Sequence, residues 1–163
     1  MVVWDSFMQA AELCDVVTDG ALIESLLPGG SLASCDFDGH GRTALLPGFV
    51  NAHGHAAMSL LRGLGEELPL MEWLQTRIWP AENRLNGDII ETGTNVALME
   101  MFATGTTCFA DMYFSMDRVA DACIKAGMRC GLSRGIVGDP DCTRLTENIS
   151  FAEEYNGAAG LVN

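Results

Sequence analysis

The spacing of apolar residues changes character along the chain, and each change predicts a different kind of element. Over residues 1–47 helical spacing is absent: short apolar runs at Val16-Val17 and Ala21-Leu22-Ile23 flank Asp19-Gly20, a hairpin signal, and Pro28-Gly29-Gly30 marks a second turn. This predicts a small β-rich segment. The run Ala44-Leu45-Leu46-Pro47-Gly48-Phe49-Val50 then predicts a buried strand with its proline near the start. Residues 64–85 break the pattern with Glu66-Glu67, Pro69, Met71, Trp73-Leu74 and Ile78-Trp79-Pro80, an excursion carrying a short helix of the kind that covers a pocket. Asn86-Gly87-Asp88 supplies a cap and an acidic first turn. Ile90, Thr94, Ala97 and Met101 follow at helical spacing, and Gly105 stops the run. Beyond it come a strand over Thr106 to Asp111, a helix over Asp117 to Ala126 closed by Gly127, and a strand over Met128 to Ser133. A last helix over Thr143 to Tyr155 places Leu145, Ile149 and Ala152 on one face and ends at Asn156-Gly157.

A strand, a helix and a strand within so few residues require a parallel crossover. Strands near 45–50, 106–111 and 128–133, each followed by helix, predict an α/β fold of about three β/α units over 48–163, after the β segment. The 163 residues are 48% hydrophobic, enough for a core, and show no internal repeat. Twenty-two acidic against nine basic residues give a net charge of −13, which argues against nucleic acid and anionic membranes as partners. The six cysteines form no C-x-x-C pair and the opening Met1-Val2-Val3-Trp4-Asp5 lacks a basic head, so they read as reduced thiols of a cytoplasmic protein. No apolar stretch is long enough to span a bilayer.

The chemistry concentrates in Asn51-Ala52-His53-Gly54-His55. Side chains alternate along a strand, so His53 and His55 are expected to share a face and converge on one ion, with Gly54 turned away. Neutral imidazole is a good ligand for divalent metals, and the C-terminal end of a parallel strand is where such sites lie. An H-x-H pattern alone is weak. The H-x-E and P-C-x-x-C patterns of a cytidine-deaminase zinc site are both missing.

The stretch Leu46-Pro47-Gly48-Phe49-Val50-Asn51-Ala52-His53-Gly54-His55 resembles the amidohydrolase superfamily. Leu68-Pro69-Leu70-Met71-Glu72-Trp73-Leu74, Ile78-Trp79-Pro80-Ala81-Glu82, Gly105-Thr106-Thr107 and Ala110-Asp111-Met112-Tyr113-Phe114 are similar to its branch of 5′-methylthioadenosine/S-adenosylhomocysteine deaminases. The resemblance implies the N-terminal portion of a (β/α)8 TIM-type barrel, preceded by a segment, 1–47, of a small composite β-sandwich. It implies His53 and His55 as ligands of a divalent metal, zinc first, with Fe2+ or Mn2+ as alternatives. It implies Glu82 on the ribose hydroxyls of a nucleoside substrate, and Arg134 and Arg144 near its amino-acid or sulfur-bearing tail. Trp73 and Trp79 are expected as lid or core packing, and Asp111 as a helix cap or outer acceptor. The implied activity is hydrolytic deamination. No catalytic base is assigned within this chain. Only His40 remains besides the pair, and the family's base and further ligands would follow residue 163 in a barrel of about 250 residues. Isolated activity is therefore not expected, and a homo-oligomer or a complementing C-terminal half enters as partner. The alternatives are another amidohydrolase, acting on guanine, cytosine or an s-triazine, and a noncatalytic fragment working through self-assembly or a partner chain.

Overall fold

A computed structural model describes residues 2–4, 11–65, 67–136 and 138–163, and its contacts divide the chain into two units between Pro47 and Gly48. Met1, Asp5 and Glu66 lie outside the described residues.

The first unit is a single sheet in the order β3-β2-β1-β4, built from β1 (Val2–Trp4), β2 (Ala11–Asp19), β3 (Leu22–Pro28) and β4 (Ala44–Leu45). The hairpin foreseen at Asp19-Gly20 joins β2 to β3, with Asp19 paired to Leu22. Gly20 takes a φ of 56°, the left-handed conformation that a two-residue hairpin turn demands. Leu13, Leu22, Ile23 and Leu26 are exposed, so the described residues of this unit form one layer with apolar surface uncovered.

The second unit carries three parallel strands in chain order, β5 (Phe49–Gly54), β6 (Thr106–Tyr113) and β7 (Arg129–Arg134). After β5 come a 3-10 helix, Ala56–Leu61, and a helical excursion, α1 (Leu70–Trp73) and α2 (Trp79–Glu82) joined through a π-helical stretch, Leu74–Ile78. Then follow α3 (Gly87–Ala103), α4 (Met116–Ala126) and α5 (Thr143–Tyr155). The Asn86 side chain accepts from the Ile89 amide at 3.0 Å and so caps α3. Gly127, at φ 75°, lets the Met128 amide reach back to the Cys123 carbonyl at 2.9 Å and closes α4. Between α3, α4 and the sheet lie Ile90, Leu98, Phe109, Val119, Cys123 and Met128, each at most 2% exposed. Burying each of the larger ones contributes about 1.5–3 kcal/mol.

Three expectations are corrected. Ala44–Val50 is not one buried strand. Ala44 and Leu45 pair with β1, Pro47 has no amide to continue a ladder, and a new strand starts where the Phe49 amide donates to the Gly105 carbonyl. Phe49 and Val50 are 64% and 68% exposed, because β5 has a neighbour on one side only among the described residues. On α5, Leu145, Ile149 and Ala152 face outward. The helix turns Arg144, Asn148, Phe151 and Tyr155 inward instead. Asn148 donates to the Arg134 carbonyl and accepts from its amide, and the Phe151 and Tyr155 rings stack at 4.9 Å, which together set the phase. Finally, the chain does not stop at three strand positions. Val162 forms a parallel bridge to Cys130, and the Leu132 amide donates to the Asn163 carbonyl at 2.8 Å, so residues 161–163 lie along β7.

Candidate active site

The C-terminal ends of the three strands open onto a cavity of about 440 Å³ within the second unit. Its walls include His55, Glu82, Arg134 and Arg144, four of the five residues singled out from sequence, each from a different segment. The fifth, His53, stands beside His55: their ring centroids are 5.1 Å apart at 79°.

The two rings come together by a route other than strand alternation. The ladder slips between Asn51 and Gly54, β5 ends at Gly54, and His55 sits beyond it as the residue that opens the 3-10 helix. Strict alternation therefore does not govern the pair, because a slipped ladder breaks the two-residue period. What aims His55 is β6: its Nδ1 lies 2.8 Å from the Met112 carbonyl oxygen. A carbonyl only accepts, so Nδ1 carries the proton and the lone pair of Nε2 is left for a metal.

Asp111 of β6 is 4% exposed and holds the other end of the turn, accepting from the Ala56 amide at 3.1 Å through Oδ2. That is the capping role expected of it. Its Oδ1 is buried with no hydrogen-bond partner among the described residues. Burial pushes this carboxyl above the usual aspartate range, opposed by the Ala56 amide and by the His55 and His53 rings. Two adjacent imidazoles, one oriented by a carbonyl, above a buried carboxylate make a donor set that suits a divalent ion. Among the described residues no group of three or more His, Cys, Asp and Glu side chains is placed to hold a metal ion.

Glu82, at the end of α2, meets a residue that sequence reasoning passed over. The Tyr113 hydroxyl donates to Glu82 Oε1 at 2.7 Å. Tyr113 is buried, and its ring stacks on Phe114 at 4.2 Å and 19°. Burial first, and then the bond to Glu82, pushes the phenol up, so it stays a neutral donor. A tyrosine following the strand residues Asp111-Met112 was the available signal, since a buried phenol has to find an acceptor.

Arg134 closes β7, and its Nε pairs with Glu147 Oε2 at 2.6 Å. Asn148 brackets its backbone, at 2.7 Å from its amide and 2.9 Å from its carbonyl oxygen. Glu147 and Asn148 carried no sequence signal, because their partners lie on another element. Arg144 enters from the first turn of α5, where its amide and that of Leu145 donate to the Asp139 carboxylate at 3.1 and 3.0 Å. Trp73 and Trp79 line the cavity as well. The Trp73 indole donates to the Leu64 carbonyl at 2.7 Å, tying together two parts of the excursion.

The Amidohydrolase family model matches residues 44–159. The 5-methylthioadenosine/S-adenosylhomocysteine deaminase of Pelotomaculum thermopropionicum is 49% identical over 142 residues, 86% of this chain and 31% of its own length. The deaminase of the same name from Desulforamulus reducens is 44% identical over 161 residues, 95% of this chain and 36% of its own. The chain thus spans about a third of the length of these curated relatives. Among solved structures, an adenosine deaminase from Xanthomonas campestris with bound zinc superposes with a TM-score of 0.78 at 28% identity, over 99% of this chain and 40% of that one.

Proposed function

Since the chain belongs to the amidohydrolase family, we propose that it forms the N-terminal portion of a (β/α)8 barrel in a metal-dependent deaminase of adenosine derivatives, of the S-adenosylhomocysteine/5′-methylthioadenosine class. The observation that carries this reading is the convergence of Glu82, Arg134 and Arg144 with His55 on one cavity. An acceptor-only carboxylate facing two guanidinium groups suits a ligand with a sugar diol at one point and a carboxylate or polarisable tail at another. A free guanine, a cytosine or a triazine offers neither.

His53 and His55 would hold the divalent ion, zinc first, with Fe2+ or Mn2+ as the alternatives. When bound, such an ion activates water for attack at the purine C6 with loss of ammonia. The remaining work belongs to this chain's own residues. The Met112 carbonyl keeps His55 in the tautomer whose Nε2 faces outward. Glu82 accepts hydrogen bonds from the ribose. Arg134, held by Glu147, and Arg144 bind the tail. Trp73 and Trp79 shield the cavity from water. Residues 1–47 would contribute one layer of a composite β-sandwich, their exposed leucines and isoleucine awaiting a second. No described helix is long and apolar enough to cross a membrane. A cytoplasmic setting belongs to the same proposal. The small-molecule nucleoside is the partner proposed, with a homo-oligomer or a complementing C-terminal half completing the site.

The test joins this chain to the remaining two thirds of the Pelotomaculum relative and measures ammonia release from S-adenosylhomocysteine, 5′-methylthioadenosine, adenosine and guanine with zinc supplied. The ribosylated adenines are expected to turn over and guanine not, with His53→Ala and His55→Ala each abolishing zinc retention. A chimera that deaminates guanine and ignores the nucleosides overturns the reading.

A further inference from the structure

Among the described residues, Tyr113 is the one buried polar side chain on the cavity wall to which the proposed chemistry gives no task. It is 7% exposed, it ends β6, and it spans the site: its ring centroid is 6.3 Å from that of His55, while its hydroxyl meets Glu82 at 2.7 Å. The residue before it, Met112, orients His55 through its carbonyl. Two consecutive residues of one strand therefore set both the ring proposed to bind the ion and a carboxylate lining the same cavity.

Glu82 belongs to a four-residue helical turn reached through a π-helical stretch, a support less rigid than a strand. The terminal torsion of a glutamate is broad, so the carboxylate plane needs an external partner to be defined. Tyr113 is that partner, and stacking on Phe114 keeps its ring from turning away. A phenol has one proton to give, and it goes to Oε1. Oε2 keeps its full accepting capacity and Oε1 keeps one lone pair, both in a defined plane. Two adjacent hydroxyls match that arrangement, whereas a single hydroxyl leaves an acceptor unmet at a desolvated wall.

From this geometry we infer that Tyr113 is a positioning residue that fixes the Glu82 carboxylate for a vicinal diol, and so sets the preference of this cavity for ribonucleosides over nucleosides lacking one sugar hydroxyl. The inference rests on the reading of Glu82 as the sugar-binding carboxylate, and the test separates the two.

Tyr113→Phe keeps the ring and its stack on Phe114 and removes only the donor. Stripped of metal so that no turnover occurs, the chimera of this chain with the remaining two thirds of the Pelotomaculum relative is titrated calorimetrically with adenosine and with 2′-deoxyadenosine. The wild type is expected to favour adenosine by about 10-fold or more, as a hydrogen bond to a charged acceptor implies. In Tyr113→Phe, adenosine affinity falls by about 10-fold while that for 2′-deoxyadenosine moves by less than about 2-fold, so the preference collapses. In a Glu82→Gln background, Tyr113→Phe changes the ratio by less than about 2-fold, because the two residues act as one unit. A tyrosine serving only to brace the fold would lower both affinities together and leave their ratio intact. A retained ratio in Tyr113→Phe overturns the inference and leaves the Glu82 reading standing. A wild type that binds both nucleosides equally, or neither, overturns the Glu82 reading and the inference with it.

Discussion

Gly93→Ala sets two physical effects against each other, and the structure decides the winner. Gly93 is buried in the middle of α3, where replacing glycine by alanine normally stabilises a helix by about 1 kcal/mol. Here, however, α3 packs against the 3-10 helix that follows His55, and a Cβ at this position would overlap the Ala57 carbonyl oxygen and lie 3.0 Å from the Ala57 Cα. The obstacle is backbone, not the end of a flexible side chain, so overpacking belongs near the upper end of its usual cost of about 1–3 kcal/mol. Subtracting the propensity gain leaves a net destabilisation of about 2 kcal/mol, or roughly 4–8 °C in Tm for a chain of this size. The shift has a direction with consequences. Ala57 is two residues from His55, and its neighbour Ala56 is tied to Asp111, so pushing this turn away from α3 moves the ring that Met112 aims. Urea unfolding monitored by circular dichroism, together with zinc titration, reads both effects: lower stability and weaker zinc binding. A Gly93→Ala chain as stable as the wild type, with unchanged zinc affinity, would refute the packing of the 3-10 helix against α3 as the support of His55.

Asp111→Asn is expected to stabilise the metal-free chain near neutral pH, because it removes a carboxylate whose charged form burial disfavours. The folded pKa is raised, so the wild type loses stability as pH rises from the unfolded value through the folded one. Melts taken from acid to neutral pH should therefore show the two proteins converging at the acid end and separating above it; parallel curves would sink the assignment. Asn86→Ala deletes the cap of α3 and should cost about 1 kcal/mol, or roughly 2–4 °C in Tm. Glu147→Gln breaks an ion pair whose acid is 46% exposed, so stability should change by less than about 1 kcal/mol. Binding of S-adenosylhomocysteine should nevertheless weaken more than that of 5′-methylthioadenosine, since Arg134, proposed to meet the charged tail, loses its anchor, and equal weakening in a calorimetric titration would contradict this.

Elements whose signals are local were legible in the sequence. The cap at Asn86, the stop at Gly127 and the hairpin at Asp19-Gly20 depend on backbone groups within a few residues, and they stand as read. The phase of α5 was not legible. Leu145-Ile149-Ala152 and Asn148-Phe151-Tyr155 repeat at equally good helical spacing, and the choice fell to the bonds between Asn148 and the end of β7, a partner 14 residues away. The run Ala44–Val50 misled for a related reason: apolar content does not reveal that Pro47 separates residues pairing in different sheets.

At the site, residue type and spacing by themselves marked only His53 and His55, because imidazole has narrow uses away from solvent, while Glu82, Arg134 and Arg144 were singled out by the resemblance to the deaminase branch. Tertiary structure alone decided which of them meet and what holds them. His55 is aimed by a carbonyl 57 residues away, Glu82 by a phenol 31 residues away, and Arg134 by a neighbour on the next helix. A sequence records donors and acceptors but not their distances. Orientation is set by hydrogen bonds between elements, and those exist only once parallel strands have brought their ends to one face.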